Sequence, residues 1–336
     1  MVLLENHRSG GISRLFPGVM IAVTVGLAAK FISEHYGAPV MLMALLLGMA
    51  FNFLAEDGST CAAGIEFASK SLLRFGVALL GLGITVQQVM STGIEVLLIV
   101  FGGVALTIVL GLGLSRVLGR RTRFGLLTGG AVAICGASAA LAISSVLPKS
   151  DTLERDTVFT VIAVTALSTA AMIVYPVIAA WLGLSDIAAG VFLGATIHDV
   201  AQVVGAGYSI SDLAGETATF VKLLRVALLV PIVIALSLVF SGGAAPGEGR
   251  KLPIPFFVLG FAALVIAGSY NVIPDVAAEH LLSLSRWCLI TAIAALGMKT
   301  SLGKLGNVGG GAIVLICTLT LLLAGFALAA LQLTTL

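Results

Sequence analysis

Apolar residues run almost unbroken for about 20 positions at a time, the length an α-helix needs to cross a hydrocarbon layer of roughly 30 Å. Residues 96–118 (VLLIVFGGVALTIVLGLGLSRVL) are one such run. Of the 336 residues, 59% are hydrophobic and 10% charged, against about 25% charged in an ordinary soluble domain. So few charges cannot cover a surface in water. Glycine recurs inside the runs, as in membrane helices whose backbones approach closely. The chain therefore reads as one all-α, polytopic transmembrane domain over residues 1–336.

Other bulk properties exclude more than they assign. A net charge of +2 without a long basic run gives no sign of nucleic acid. Cys61, Cys135, Cys288 and Cys317 show neither CxxC nor metal spacing, so they read as small packing residues, with no metal site or other cofactor expected. The first apolar stretch, Leu15–Ile32, lacks an obvious cleavage site and reads as a retained helix.

About eleven spans follow from length and apolar pattern: Leu15–Ile32, Pro39–Leu54, Ser71–Val89, Val96–Leu118, Gly125–Leu147, Thr157–Leu182, Ile187–Tyr208, Ala218–Phe240, Phe256–Val272, Leu281–Met298 and Gly309–Leu333. A polar connector, Ala55–Lys70, follows the second. Lys and Arg then sort unevenly between the two sides. One side takes Arg8, Arg14, Lys70, Arg74, Arg116, Arg120, Arg121, Arg123, Arg250, Lys251, Lys299 and Lys304. The other takes Lys30, Lys149, Arg155 and Arg286. This places the N-terminus in the cytoplasm and the C-terminus outside.

Two internal echoes suggest inverted repeats, with halves near 15–182 and 187–333. Gly48-Met49-Ala50-Phe51-Asn52 in the second span resembles Ala267-Gly268-Ser269-Tyr270-Asn271 in the ninth. Leu82-Gly83-Ile84-Thr85 in the third resembles Leu296-Gly297-Met298-Lys299-Thr300 around the tenth. Odd numbers of crossings separate the partners, so they run in opposite directions. Biased composition alone can also produce such matches.

The fifth and seventh spans look discontinuous. Each opens on a GxxxG spacing (Gly125/Gly129, Gly190/Gly194), which by itself means close helix packing. The fifth then reaches Cys135-Gly136-Ala137-Ser138, expected to be non-helical. The seventh reaches His198-Asp199. A charge at mid-bilayer costs about 2.5–3.5 kcal/mol on the lenient insertion scale, so it faces a cavity or a partner. Asp199 and Gln202 have capping-box spacing, which marks a helix start inside the span. Half-helix N-termini carry N–H donors and a positive dipole end, suited to an anion. The plainer readings are that Gly136 permits packing and that a neighbouring helix satisfies Asp199.

Lys222 and Arg225 share one helical face two turns into the eighth span. They form an electropositive wall facing those helix starts or snorkel to the interface. The candidate anion-binding set is thus Cys135, Gly136, Ala137, Ser138, Gln202, Lys222 and Arg225. His198 and Asp199 are the candidate coupling pair, because histidine changes charge nearest neutral pH. Asn52 and Asn271 read as caps or interhelical bonds.

The stretch Gly129-Gly130-Ala131-Val132-Ala133-Ile134-Cys135-Gly136-Ala137-Ser138-Ala139, then Ile197-His198-Asp199-Val200-Ala201-Gln202-Val203-Val204, then Val221-Lys222-Leu223-Leu224-Arg225-Val226 resembles the YeiH-type family of bacterial inner-membrane proteins, whose name refers to sulfate export. The resemblance extends over nearly the whole chain. It implies a bacterial plasma-membrane carrier of sulfate or a related inorganic or organosulfur anion, with protons or sodium as coupling ions, homodimerisation open, and broken-helix architecture similar to bile-acid and sodium/proton carriers. One feature conflicts: crossing broken helices in those folds run oppositely, whereas the fifth and seventh spans run the same way. Either the seventh span is re-entrant or the repeats are paired wrongly.

An anion channel is the nearest rival, but it calls for a continuous polar stripe, and the polar groups here concentrate at mid-span. An intramembrane enzyme would need Cys135 brought beside His198; no HExxH or paired intramembrane aspartates occur, and no enzymatic activity is expected.

Overall fold

The computed structural model describes residues 10–36, 38–56, 58–84, 93–148, 150, 152–240, 256–270, 272–300 and 310–334. Arg8, Lys149, Arg250, Lys251, Asn271 and Lys304 lie outside them. Every regular element among them is helical. In chain order these are α1 (Gly10–Tyr36), α2 (Val40–Ala50), α3 (Ala62–Phe67), α4 (Leu73–Leu80), α5 (Gly93–Val117), α6 (Thr122–Ala133) and α7 (Ala137–Val146). Then follow α8 (Leu153–Trp181), α9 (Asp186–Thr196), α10 (Val200–Tyr208), α11 (Asp212–Ala227), α12 (Leu229–Phe240), α13 (Phe256–Ser269), α14 (Asp275–Lys299) and α15 (Gly310–Gln332). A π-helical turn, Ala68–Leu72, joins α3 to α4. Among the described residues, six stretches are long and apolar enough to cross a membrane: Ser13–Tyr36, Gly93–Val117, Leu153–Trp181, Asp212–Phe240, Asp275–Lys299 and Ile313–Gln332. The chain is a polytopic helical membrane protein.

The two discontinuous segments do not cross. They are re-entrant hairpins. In the first, α6 and α7 lie side by side, so that a Cβ on Gly130 would run into the Ile143 side chain. The Phe124 ring at the start of α6 lies 6.4 Å from the Phe159 ring near the start of α8, so entry and exit share one end of the molecule. In the second, the Ser211 hydroxyl just after α10 donates to Asp186 Oδ2 at the start of α9 at 2.7 Å. Laid end to end at about 1.5 Å per residue, α9 and α10 would hold those groups roughly 30 Å apart. Both chain reversals reach the middle of α8, where Ser168 and Val164 meet them.

This corrects the expectation that both segments cross, and it removes the conflict of direction. With the first segment turning back, α8 crosses between the hairpins, which therefore enter from opposite ends. Helix plus hairpin occurs twice in opposite sense, as α5 with α6–α7 and α8 with α9–α10.

The charge pattern changes with it. Arg155, at the start of α8, moves to the end that holds Arg116, Arg120, Arg121 and Arg123. Lys70 and Lys299, which both ion-pair with Glu66, mark one end of α3 and α14. Midway along α14, Arg286 pairs with Asp212 and Lys30 lies over Trp287. With Arg155 at the arginine-rich end, the basic asymmetry becomes steeper.

Glycine sets the closest contacts. A Cβ on Gly125 would strike the Gly111 carbonyl, which presses α6 onto α5, and Gly190 and Gly194 do the same for α9 against α11. The GxxxG spacings are thus packing surfaces. The echo segments pack crosswise: Gly48 of α2 on Gly297 of α14, and the Leu82 carbonyl beyond α4 against Gly268 of α13. Asn52 bonds between helices, donating to the Met298 carbonyl at 2.6 Å.

Candidate functional site

The two hairpin tips touch beside the middle of α8. At the first, α6 ends at Ala133 and Ile134 leaves helical geometry (φ −109°, ψ −83°). Gly136 then takes φ +62°, ψ −121°, a conformation that a Cβ penalises. A Cβ there would lie 3.4 Å from His198 Cβ and 3.6 Å from Val164. Helix α7 starts immediately afterwards with no side-chain cap. The amides of Ala137, Ser138 and Ala139, in its first turn, therefore have no acceptor within the helix. Ser138 is exposed and Ala137 and Asp199 half-buried, whereas Cys135 is buried.

The second tip is built from side chains. Asp199 caps α10, its Oδ1 accepting from the Ala201 amide at 2.8 Å. Ser168 Oγ on α8 accepts from the amides of both His198 (3.2 Å) and Asp199 (3.0 Å). His198 Nε2 meets Thr320 Oγ1 of α15 at 3.0 Å, and Gln202 Nε2 donates to Thr169 Oγ1 at 2.8 Å. Two polar atoms stay buried without a partner, His198 Nδ1 and Gln202 Oε1. Buried polar groups are normally satisfied, so two orphans on adjacent turns indicate where a ligand or water would bind.

Between the tips stand the cations of α11. Lys222 is 0% and Arg225 1% exposed, so neither snorkels to the interface. Lys222 Nζ donates to the carbonyls of Ile134 (2.7 Å) and Ile197 (2.9 Å). Arg225 donates through Nε to Ala133 (2.9 Å), through Nη2 to Val132 (2.8 Å) and through Nη1 to both Gly194 and Ile197 (3.0 Å each). Those carbonyls are the free C-terminal ends of α6 and α9, where the helix dipole is negative. Among the described residues no carboxylate comes within ion-pair distance of either cation.

The structure thus gathers Cys135, Gly136, His198, Asp199, Gln202, Lys222 and Arg225 around one crossing, with Ala137 and Ser138 at its open edge. Three local expectations need correction. Only Ile134–Gly136 is non-helical; Ala137 and Ser138 already belong to α7, because the glycine absorbs the whole chain reversal. Asp199 caps α10 as its spacing suggests, but Gln202 does not complete the capping box. The Asp199 amide is taken by Ser168, which leaves Gln202 to reach Thr169. His198 and Asp199 do not pair either: the first turns to Thr320 and the second to its own helix. Ser168, Thr169 and Thr320 escaped the sequence reading, since hydroxyls in apolar helices commonly bond back to the preceding turn and carry no distinguishing spacing. The five backbone carbonyls have no sequence signal at all.

The family model described as "Conserved hypothetical protein 698" matches residues 16–316. "UPF0324 membrane protein CT0845" of Chlorobaculum tepidum is 55% identical over 316 residues, covering 93% of this chain and 87% of that protein. "UPF0324 membrane protein TauZ" of Paracoccus pantotrophus is 52% identical over 327 residues, covering 96% and 97%. A "UPF0324 membrane protein" of Caulobacter vibrioides is 37% identical over 320 residues, covering 94% and 68%. No solved structure matches the chain.

Proposed function

The chain belongs to the conserved hypothetical protein 698 family, which is the YeiH-type family, and from that premise we propose that it is a secondary transporter of a small oxyanion, sulfate or a related sulfur oxyanion, working by alternating access in a bacterial inner membrane. One observation carries this reading: two fully buried cations at the hairpin tips have, among the described residues, no carboxylate within ion-pair distance. Burying an ion costs several kcal/mol even after relaxation, and an anion drawn to the crossing offsets the remaining positive charge.

The anion sits at the open start of α7, where the first-turn amides and the Ser138 hydroxyl donate. Lys222 and Arg225, whose donors are mostly engaged by carbonyls, act on it chiefly through their charge. Gln202 and the neighbouring Cys135, Gly136 and Ala137 shape the pocket. His198, with a free Nδ1, takes up the coupling proton, and Asp199 holds the start of α10.

The test is purified protein in lipid vesicles with labelled sulfate or sulfite, alongside thermal stabilisation by the same anions. A bound ligand at 100 times its Kd stabilises by about 2.7 kcal/mol. Uptake that saturates and is lost in Gly136→Leu is expected. Neither uptake nor stabilisation by any oxyanion would remove the reading, and non-saturating flux would favour a channel.

A further inference from the structure

Where hairpin or broken helices meet inside a membrane, their C-terminal carbonyls form a negative cradle that takes a cation, commonly a coupling sodium or proton. Here the cradle is complete and its occupants belong to the chain. Helices α6 and α9 end facing each other, and the carbonyls of Val132, Ala133, Ile134, Gly194 and Ile197 converge on the two cations of α11. The Ile197 carbonyl is shared, accepting from Lys222 at 2.9 Å and from Arg225 at 3.0 Å. Each cation also spans both hairpins, bonding α6 or its end and α9 or its end.

We propose that Lys222 and Arg225 are tethered cations that fill the site a monovalent metal ion would otherwise take, so that the hairpin crossing closes without bound sodium. They are positioning residues that join two hairpins entering from opposite sides. Van der Waals packing cannot substitute for them. Without a positive charge, five buried carbonyls in two opposed helix ends would face each other with no donor, and each such group is costly where water is excluded. The spacing also follows. Positions three apart lie on one helical face, so one cation is offered at each of two successive levels along the cradle.

The inference rests on hydrogen-bond geometry and stands apart from any identity of cargo. Its test is the melting temperature of the purified full chain in chloride salts of sodium, potassium, choline, methylammonium and guanidinium at equal ionic strength. The native protein should melt at the same temperature in sodium and in choline. Lys222→Ala should melt several degrees lower and regain part of the loss in methylammonium or sodium but not in choline. Arg225→Ala should regain stability selectively in millimolar guanidinium. Lys222→Met, which keeps length and packing without charge, serves if the alanine variant does not fold; it should remain destabilised, whereas Lys222→Arg should recover. Sodium-specific stabilisation of the native protein would overturn the proposal. So would a Lys222→Met variant as stable as the native chain.

Discussion

The two hairpins make the same reversal with different chemistry. The first turns on Gly136, a backbone conformation with no side-chain support, and leaves the start of α7 uncapped. The second turns on Asp199 and on a hydroxyl from α8, and three of its tip amides are already bonded. One tip is therefore open to a ligand and the other closed upon itself. The two tips are thus chemically unequal: the first carries an uncapped helix start and the second carries His198 and Asp199.

The largest expected effect tests whether these are hairpins at all. Single cysteines at Thr122 and Ser150 should react with a membrane-impermeant thiol reagent from the same side, and cysteines at Leu182 and Leu213 from the opposite side. Opposite labelling within either pair would mean that the segment crosses, and the comparison would collapse. The side holding Thr122 should be the cytoplasm, because Arg116, Arg120, Arg121 and Arg123 gather there.

Next comes the glycine. Gly136→Leu should abolish transport while the protein still reaches the membrane, since a non-glycine residue held at such a φ costs on the order of 1–3 kcal/mol and His198 leaves it little room. Gly136→Ala should keep a measurable fraction of the rate. Full activity in the leucine variant would show that the first tip is only packing.

A smaller effect is expected at the second tip. Asp199→Ala should lower stability by about 1 kcal/mol, the usual loss of an N-cap, and Asp199→Ser should restore most of it. An unchanged melting temperature in the alanine variant would place the start of α10 under the control of Ser168 alone.

The subtlest prediction concerns His198. With His198 as the coupling group, native transport should depend on pH, because histidine is the side chain at the crossing that can exchange a proton. His198→Gln, which keeps a donor for Thr320, should flatten that variation without abolishing the rate. A retained pH profile would move coupling elsewhere.

Much of this was legible in the residues. Length and apolarity determine the helical membrane fold, because hydrocarbon admits no unpaired backbone and leaves helices as the solution for runs of this length. The rarity of charge inside those runs determines which residues matter: His198, Asp199, Lys222 and Arg225 are conspicuous because burying them is expensive. Asp199 as a helix start is likewise local, set by a side chain reaching an amide two residues on.

Direction was not legible. A hairpin and a broken crossing span have the same composition and length, and they differ only in whether the ends meet. That is decided by contacts such as Phe124 with Phe159 and Ser211 with Asp186, which join residues far apart in the chain. The roles of Lys222 and Arg225 were hidden for a related reason. Their partners are backbone carbonyls, which every residue carries, so sequence does not distinguish the five that are used. Only the folded arrangement turns two helix ends toward each other and gives those five oxygens a cation to share.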